Sequence, residues 1–205
     1  MQRERVTIKM EKIEKVKEDL EKSLSEKRYI HSIGAMEKAV ELAKIYGEDE
    51  EKSALTALTH DIAKEIPTEE YYKYAEENNI ELSKDDMMCT SVLHGIIGAD
   101  IVKKKYGFTD EMCRAIYYHT TGITNMTTFE KIIFLADKVE ERTRPKDKAD
   151  VIRNIIKEKG LDEAILWIAD DYTIPKAIKN RAVIHPNTIN VRNEIIEKVN
   201  TQKLS

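Results

Sequence analysis

Apolar residues recur at intervals of three and four along almost the whole chain. Ile30, Ile33, Met36, Val40 and Ala43 form one such run, and it closes at Gly47, a residue suited to the left-handed cap of a helix. The period is that of an α-helix, which stacks residues i, i+3 and i+4 on one face. The few β-branched clusters also sit at helical spacing, so strand signals are missing. With 7 Gly and 4 Pro in 205 residues, obligatory breaks are rare. Caps and breakers punctuate helices over about residues 6–24, 27–47, 49–64, 68–78, 84–105, 109–119, 127–143, 147–159, 161–181 and 188–201. The expectation is an all-α bundle of about nine to ten helices. No low-complexity linker or internal repeat divides it, and residues 1–205 read as one domain.

A net charge of −4 supplies no global attraction toward nucleic acid, so an anionic substrate needs a local cluster of cations or a metal. Cys89 and Cys113 lack CxxC spacing and read as buried thiols in a reducing compartment. The start, "MQRERVTIKMEKIEK", is charged throughout, and no apolar run approaches the roughly 20 residues of a membrane span. A cytoplasmic protein without membrane or nucleic-acid partners is expected.

Within "LTHDIAK", Leu58 to Lys64, His60 and Asp61 stand side by side among Ala54, Leu55, Ala57, Leu58, Ile62 and Ala63. Burying two ionisable neighbours is costly unless they are paired or bind a metal. Similar settings surround His31 ("RYIHSIGAM"), His94 ("VLHGIIGAD"), His119 ("AIYYHTTG") and Asp137 ("IIFLADKVE"). Gly95 and Gly98 beside His94 would let a backbone or ligand come close. Each feature alone is ordinary. Together, on separate helices, they match the way bundles converge side chains on a core metal. Imidazole with carboxylate suits Fe, Mn or Zn at one or two centres. On a helix, His60 and Asp61 project to neighbouring sectors with Lys64 between them, so its ammonium could meet a phosphate on that cation. The ordinary alternative for Lys64 is a solvated charge at a helix end.

The order of these residues resembles the HD-domain metal-dependent phosphohydrolases. "RYIHSIGAMEKAVELA", "HDIAK", "LHGIIGAD", "AIYYHTTGITNMT" and "KIIFLADKVEERTRP" further resemble the bacterial YqeK family, the HD-type symmetrical bis(5'-nucleosyl)-tetraphosphatases. The likeness runs from about Arg28 to Asn193. It implies hydrolysis of diadenosine tetraphosphate to two ADP by metal-activated water, with iron as the expected metal and manganese, cobalt or zinc as alternatives. It also implies that His31, His60, Asp61 and Asp137 are metal ligands, and that His94 and His119 face the phosphates or complete a second metal position. Arg28 matches an arginine just before the first ligand. "VIHPNT" (Val183, Ile184, His185, Pro186, Asn187 and Thr188) matches the place where the family's chain meets the nucleotide. On the residues alone, His185 reads equally well as a surface contact.

Lys64, His94, His119 and an arginine would stabilise charge on the phosphoryl oxygens. Which arginine is open, because the family's Pro-Asn-Arg is replaced by Glu141-Arg142-Thr143-Arg144. If the helix of Asp137 continues to Pro145, Arg144 lies about 20° from eclipse with Asp137 and Arg142 faces solvent. An HD core over about residues 28–145 would then be closed by helices over about 147–201. The expected partner is a small-molecule dinucleoside polyphosphate, with a homodimer left open. The rival readings are an HD phosphohydrolase for a mononucleotide or guanosine polyphosphate, and a non-catalytic nucleotide-binding HD module. The latter predicts gaps among the six ligand-type residues, and none is missing.

Overall fold

A computed structural model describes the backbone of residues 2–204 and the side chains of residues 11–201. Among the described residues there is no strand. The helices are α1 (Gln2–Ser23), α2 (Glu26–Tyr46), α3 (Glu50–Thr59), α4 (Thr68–Glu77), α5 (Lys84–Met88), α6 (Leu93–Tyr106), α7 (Asp110–Tyr118), α8 (Thr128–Val139), α9 (Lys146–Lys159), α10 (Leu161–Trp167), α11 (Ile174–Lys179) and α12 (Pro186–Leu204). The all-α architecture matches the periodicity. Starts are set by side-chain caps: Ser25, Asp49 and Thr109 each accept from a backbone N–H in the first turn, and Ser83 and Thr127 form capping boxes with Asp86 and Glu130. Gly47 and Gly107 close α2 and α6 with φ of 75° and 65°.

Four expected helices are shorter or broken. The one expected over 49–64 stops at Thr59, whose hydroxyl bonds back to the Leu55 and Thr56 carbonyls, and the chain continues in tight turns through Lys64 and Ile66. The one expected over 84–105 breaks at Cys89 (φ −112°, ψ 62°) into α5, a short 3-10 turn and α6. The one expected over 127–143 ends at Val139, because Glu140 turns to an extended conformation and bonds the backbone ahead of it. The one expected over 161–181 widens into a π-helical turn over Ile168–Thr173 between α10 and α11. The last helix begins at Pro186, two residues early, as the fixed φ of proline suits a first turn.

Helix α8 is buried along most of its length. Phe129, Ile132, Ile133, Leu135 and Ala136 are at most 1% exposed, and the helix packs against α2, α3, α7, α9 and α10. Burying each large side chain contributes about 1.5–3 kcal/mol, which anchors the carboxylate carried in the last turn of α8. The same apolar cluster draws on Leu20 of α1, Leu42 of α2, Leu58 of α3, Ile165 of α10 and Ile195 of α12. A second cluster joins Tyr71 and Ala75 of α4 to Leu93, Ile96 and Ile97 of α6. Cys89 and Cys113 are buried free thiols. Among the described residues no helix is long and apolar enough to cross a membrane.

Candidate active site

Five elements deliver the six ligand-type residues, mostly from their ends. His31 projects from α2, His60 and Asp61 lie in the turn leaving α3, and His94 is the second residue of α6. His119 caps the C-terminus of α7, and Asp137 sits near the end of α8. All six are buried. Their helix ends meet where no single helix could carry them.

The four imidazoles form a row of edge-to-face contacts, with ring centroids 5.2 Å apart for His31–His60, 5.0 Å for His60–His119 and 4.8 Å for His119–His94. Asp61 lies along the row. Its Oδ2 is 3.4 Å from His60 Nε2 and 3.7 Å from His31 Nε2, while its Oδ1 is 3.1 Å from His94 Nε2 and 3.6 Å from His119 Nε2. Asp137 Oδ1 is 3.1 Å from His31 Nε2 and 3.5 Å from His60 Nε2. Ligand atoms at about 2.0–2.2 Å from one cation stand about 3–3.5 Å apart, which these spacings approach. Asp61 thus places one oxygen beside His60 and His31 and the other beside His94 and His119.

Ring tautomers also suit a metal. His60 Nδ1 lies 2.6 Å from the Ala57 carbonyl, His119 Nδ1 2.7 Å from the Ile116 carbonyl, and His31 Nδ1 3.1 Å from Glu140 Oε1. Each Nδ1 faces an acceptor outside the row and is assigned its N–H on that ground, which turns Nε2 toward the other ligand-type residues. His94 differs, because its ring faces the Lys64 ammonium at 3.2 Å. Gly95 makes the approach of α6 to α7 feasible, since a Cβ there would lie 2.9 Å from the Tyr117 carbonyl. Gly98, by contrast, has only ordinary contacts.

Burial and neighbouring charges pull each titratable group of the site in opposite directions. Burial opposes protonation of His60, yet Asp61 and Asp137 hold its pKa up at about 9. Burial opposes ionisation of Asp61 and Asp137, yet His60 beside the first and Lys138 beside the second keep both well below the usual carboxylate range. Burial lowers His94 to about 4, lowers His119, and lowers Lys64. Two buried carboxylates that recruit a proton onto a neighbouring imidazole are a fitting donor set for a cation.

A ring of cations surrounds the carboxylates. Arg28 pairs with Asp61, and Lys138 and Arg144 both pair with Asp137. Arg144 Nε also donates to the Asp137 carbonyl at 2.6 Å. Because α8 stops at Val139, the projection along a continuous helix does not apply; Arg144 arrives instead by the turn that Glu140 organises. Arg142 forks onto Glu37 at 2.8 and 2.6 Å, on the exposed side. Two participants carry little signal in the local sequence. Lys138 was hidden as the immediate neighbour of Asp137, and Glu140 was visible only as the last member of an Asp-x-x-Glu spacing. Glu140 is fully buried, and burial would raise its pKa, but His31, Thr143 and the backbone of Arg142 hold it at about 2.

Residues 183–188 stand apart from the histidine row. Cys89 Sγ donates to the Val183 carbonyl at 3.6 Å, and His185 Nε2 lies 3.2 Å from Asp86 Oδ1. Ile184 is half-buried, and Pro186 and Asn187 open α12, where the Asn187 N–H donates to His185 Nδ1. The hydroxyl of Thr188 reaches the Thr121 carbonyl at 3.4 Å. Thr121 follows His119 by two residues, and Thr120 between them lies 3.3 Å from His119 Nε2.

The chain matches the HD domain family over residues 28–142. It is 36% identical over 184 residues to "Bis(5'-nucleosyl)-tetraphosphatase, symmetrical" of Halalkalibacterium halodurans, covering 84% of this chain and 91% of that one. A protein of the same name from Bacillus subtilis is 32% identical over 178 residues, covering 86% and 94%. The crystal structure of a "predicted HD superfamily hydrolase involved in NAD metabolism" from Clostridium acetobutylicum superposes with a TM-score of 0.85 at 38% identity, over 90% of this chain and 97% of that chain.

Proposed function

This chain belongs to the HD domain family, and we propose that within it the protein is a symmetrical bis(5'-nucleosyl)-tetraphosphatase that hydrolyses diadenosine tetraphosphate to two ADP. The observation that carries this reading is the complete buried row of His31, His60, Asp61, His94, His119 and Asp137, in a chain similar over most of its length to proteins of that name. His31, His60, Asp61 and Asp137 would hold the metal, iron being the proposed one, and His94 and His119 could complete a second position. A bound metal would polarise a phosphate oxygen and lower the pKa of a coordinated water.

The protein's own groups supply the rest. Arg28 and Arg144 pair with the two carboxylates here and, were those carboxylates to hold a metal, would be free to fork onto phosphate oxygens, the geometry guanidinium favours. Lys64 and Lys138 add positive charge beside them. His94 and His119, kept neutral by burial, can donate or accept one hydrogen bond at a phosphate without carrying charge. ADP is a good leaving group, so no strong general acid is needed. The apolar core running from α1 to α12 supports one domain, in which the helices after Pro145 cover the HD core and residues 183–188 meet one nucleotide. A cytoplasmic location belongs to the same proposal, and a homodimer is compatible with it.

Metal analysis of the purified protein with chromatography of its products tests the reading. One or two transition-metal ions per chain and ADP as sole nucleotide product are expected. AMP with ATP in equal amounts would contradict symmetrical cleavage. Turnover confined to a mononucleotide or a guanosine polyphosphate would replace the substrate.

A further inference from the structure

A symmetrical dinucleotide carries two nucleosides, and the proposed function assigns residues 183–188 to one. A cavity of about 350 Å³ adjoins Asp137 through the two side chains that pair with it, Lys138 and Arg144. Trp167, the single tryptophan of the chain, and Tyr172 supply aromatic wall. The charges lining the cavity are Lys138, Arg144 and Lys148 against Asp147, a local excess of positive charge in a chain of net charge −4. Lys148 Nζ lies 4.6 Å from the centre of the Tyr172 ring. The volume is at the lower end for small-molecule pockets, which run from about 300 to 1,000 Å³. It suits one nucleoside rather than a whole dinucleotide.

Trp167 and Tyr172 are five residues apart. On an α-helix they would project about 140° from each other and could not wall one small cavity. The π-helical turn over Ile168–Thr173, with its i→i+5 spacing, brings both to the same side. We propose that this cavity takes the second nucleoside of the substrate, its base against Trp167 and Tyr172 and its nearest phosphates on Arg144 and Lys138. The proposal rests on the reading of the protein as a symmetrical dinucleotide hydrolase. It requires the metal centre to lie between two nucleoside subsites, so that cleavage leaves one ADP in each.

The test is calorimetric titration of ADP into the metal-loaded enzyme, followed in parallel by Trp167 fluorescence. Two ADP per chain are expected, one of them quenching Trp167, with inorganic tripolyphosphate leaving the emission unchanged. Base–aromatic stacking is a sequence-tolerant attraction that truncation removes. Tyr172→Ala, which removes a stacking face, and Lys148→Ala, which removes one of the positive charges lining the cavity, each checked for native circular dichroism, should weaken the second ADP about tenfold, or about 1.4 kcal/mol. The KM for diadenosine tetraphosphate should rise in parallel. One ADP per chain with unchanged Trp167 emission would overturn the proposal, and so would equal quenching by tripolyphosphate, which would reduce the cavity to an anion site. Failure of the underlying reading is separately visible, because the wild-type enzyme would then release no ADP from diadenosine tetraphosphate.

Discussion

Replacing Glu140 by glutamine probes how the row of histidines is held from behind. The carboxylate accepts from the backbone N–H of Arg142 at 2.6 Å and of Thr143 at 3.0 Å, from the Thr143 hydroxyl, and from His31 Nδ1 at 3.1 Å. Every partner is a donor, so the amide NH₂ of glutamine would face a donor at one end whichever way it turned. Burial works against ionisation, yet these partners hold Glu140 at about 2 against an ordinary value of 4.5. At about 1.4 kcal/mol per pH unit, the difference is worth about 3 kcal/mol. For a chain of this length that is a fall in Tm of about 6–12 °C.

The sign of the pH dependence follows from the depressed pKa. The contribution is complete above the unfolded value of about 4.5 and is lost as pH falls toward the folded value of about 2. Urea unfolding of wild type and Glu140→Gln, both stripped of metal and compared from pH 7 to pH 3, should show a gap that narrows by about 2 kcal/mol over that range. Metal affinity should fall about 10- to 100-fold, because His31 loses the group that orients it. A gap under about 1 kcal/mol at pH 7, or one that does not change by pH 3, would refute the reasoning.

His60→Ala and Asp61→Ala should each lose metal and activity together; full occupancy by elemental analysis in both would remove these residues from the site. His94→Ala and His119→Ala should slow turnover strongly while at least one metal stays with His31, His60, Asp61 and Asp137, and loss of all metal would show one shared site instead. Arg144→Ala should raise KM or slow turnover about tenfold, or about 1.4 kcal/mol. Arg142→Ala should change little, since Arg142 pairs with Glu37 on the surface; a larger loss at Arg142 contradicts the placement. Gly34→Ala would drive a methyl into the Glu140 carboxylate, and overpacking of that kind should lower stability by about 1–3 kcal/mol in thermal unfolding.

The fold class and the candidate ligand residues were legible in the local pattern of the chain. Helical periodicity is a local property, carried by residues three and four apart, so an all-α chain with few breakers was legible without coordinates. Buried-looking ionisable residues also announce themselves locally, which is why His31, His60, Asp61, His94, His119 and Asp137 could be picked out in advance. Only tertiary structure decided how the helices end. The Thr59 hydroxyl donates back into α3 and the Glu140 carboxylate accepts from the backbone after α8; both helices stop early, and those stops turn His60, Asp61 and Arg144 toward the centre. A continuous helix would favour Arg144 over Arg142; α8 does not continue, and the chain brings Arg144 beside Asp137 by a turn instead. Glu140 and His31 are 109 residues apart, and the pairing exists only because α2 packs on α8. Trp167 and Tyr172 share a cavity only because a π-helical turn overrides α-helical spacing. Local pattern selects which residues can be buried, while the meeting of distant ones depends on packing that no local period encodes.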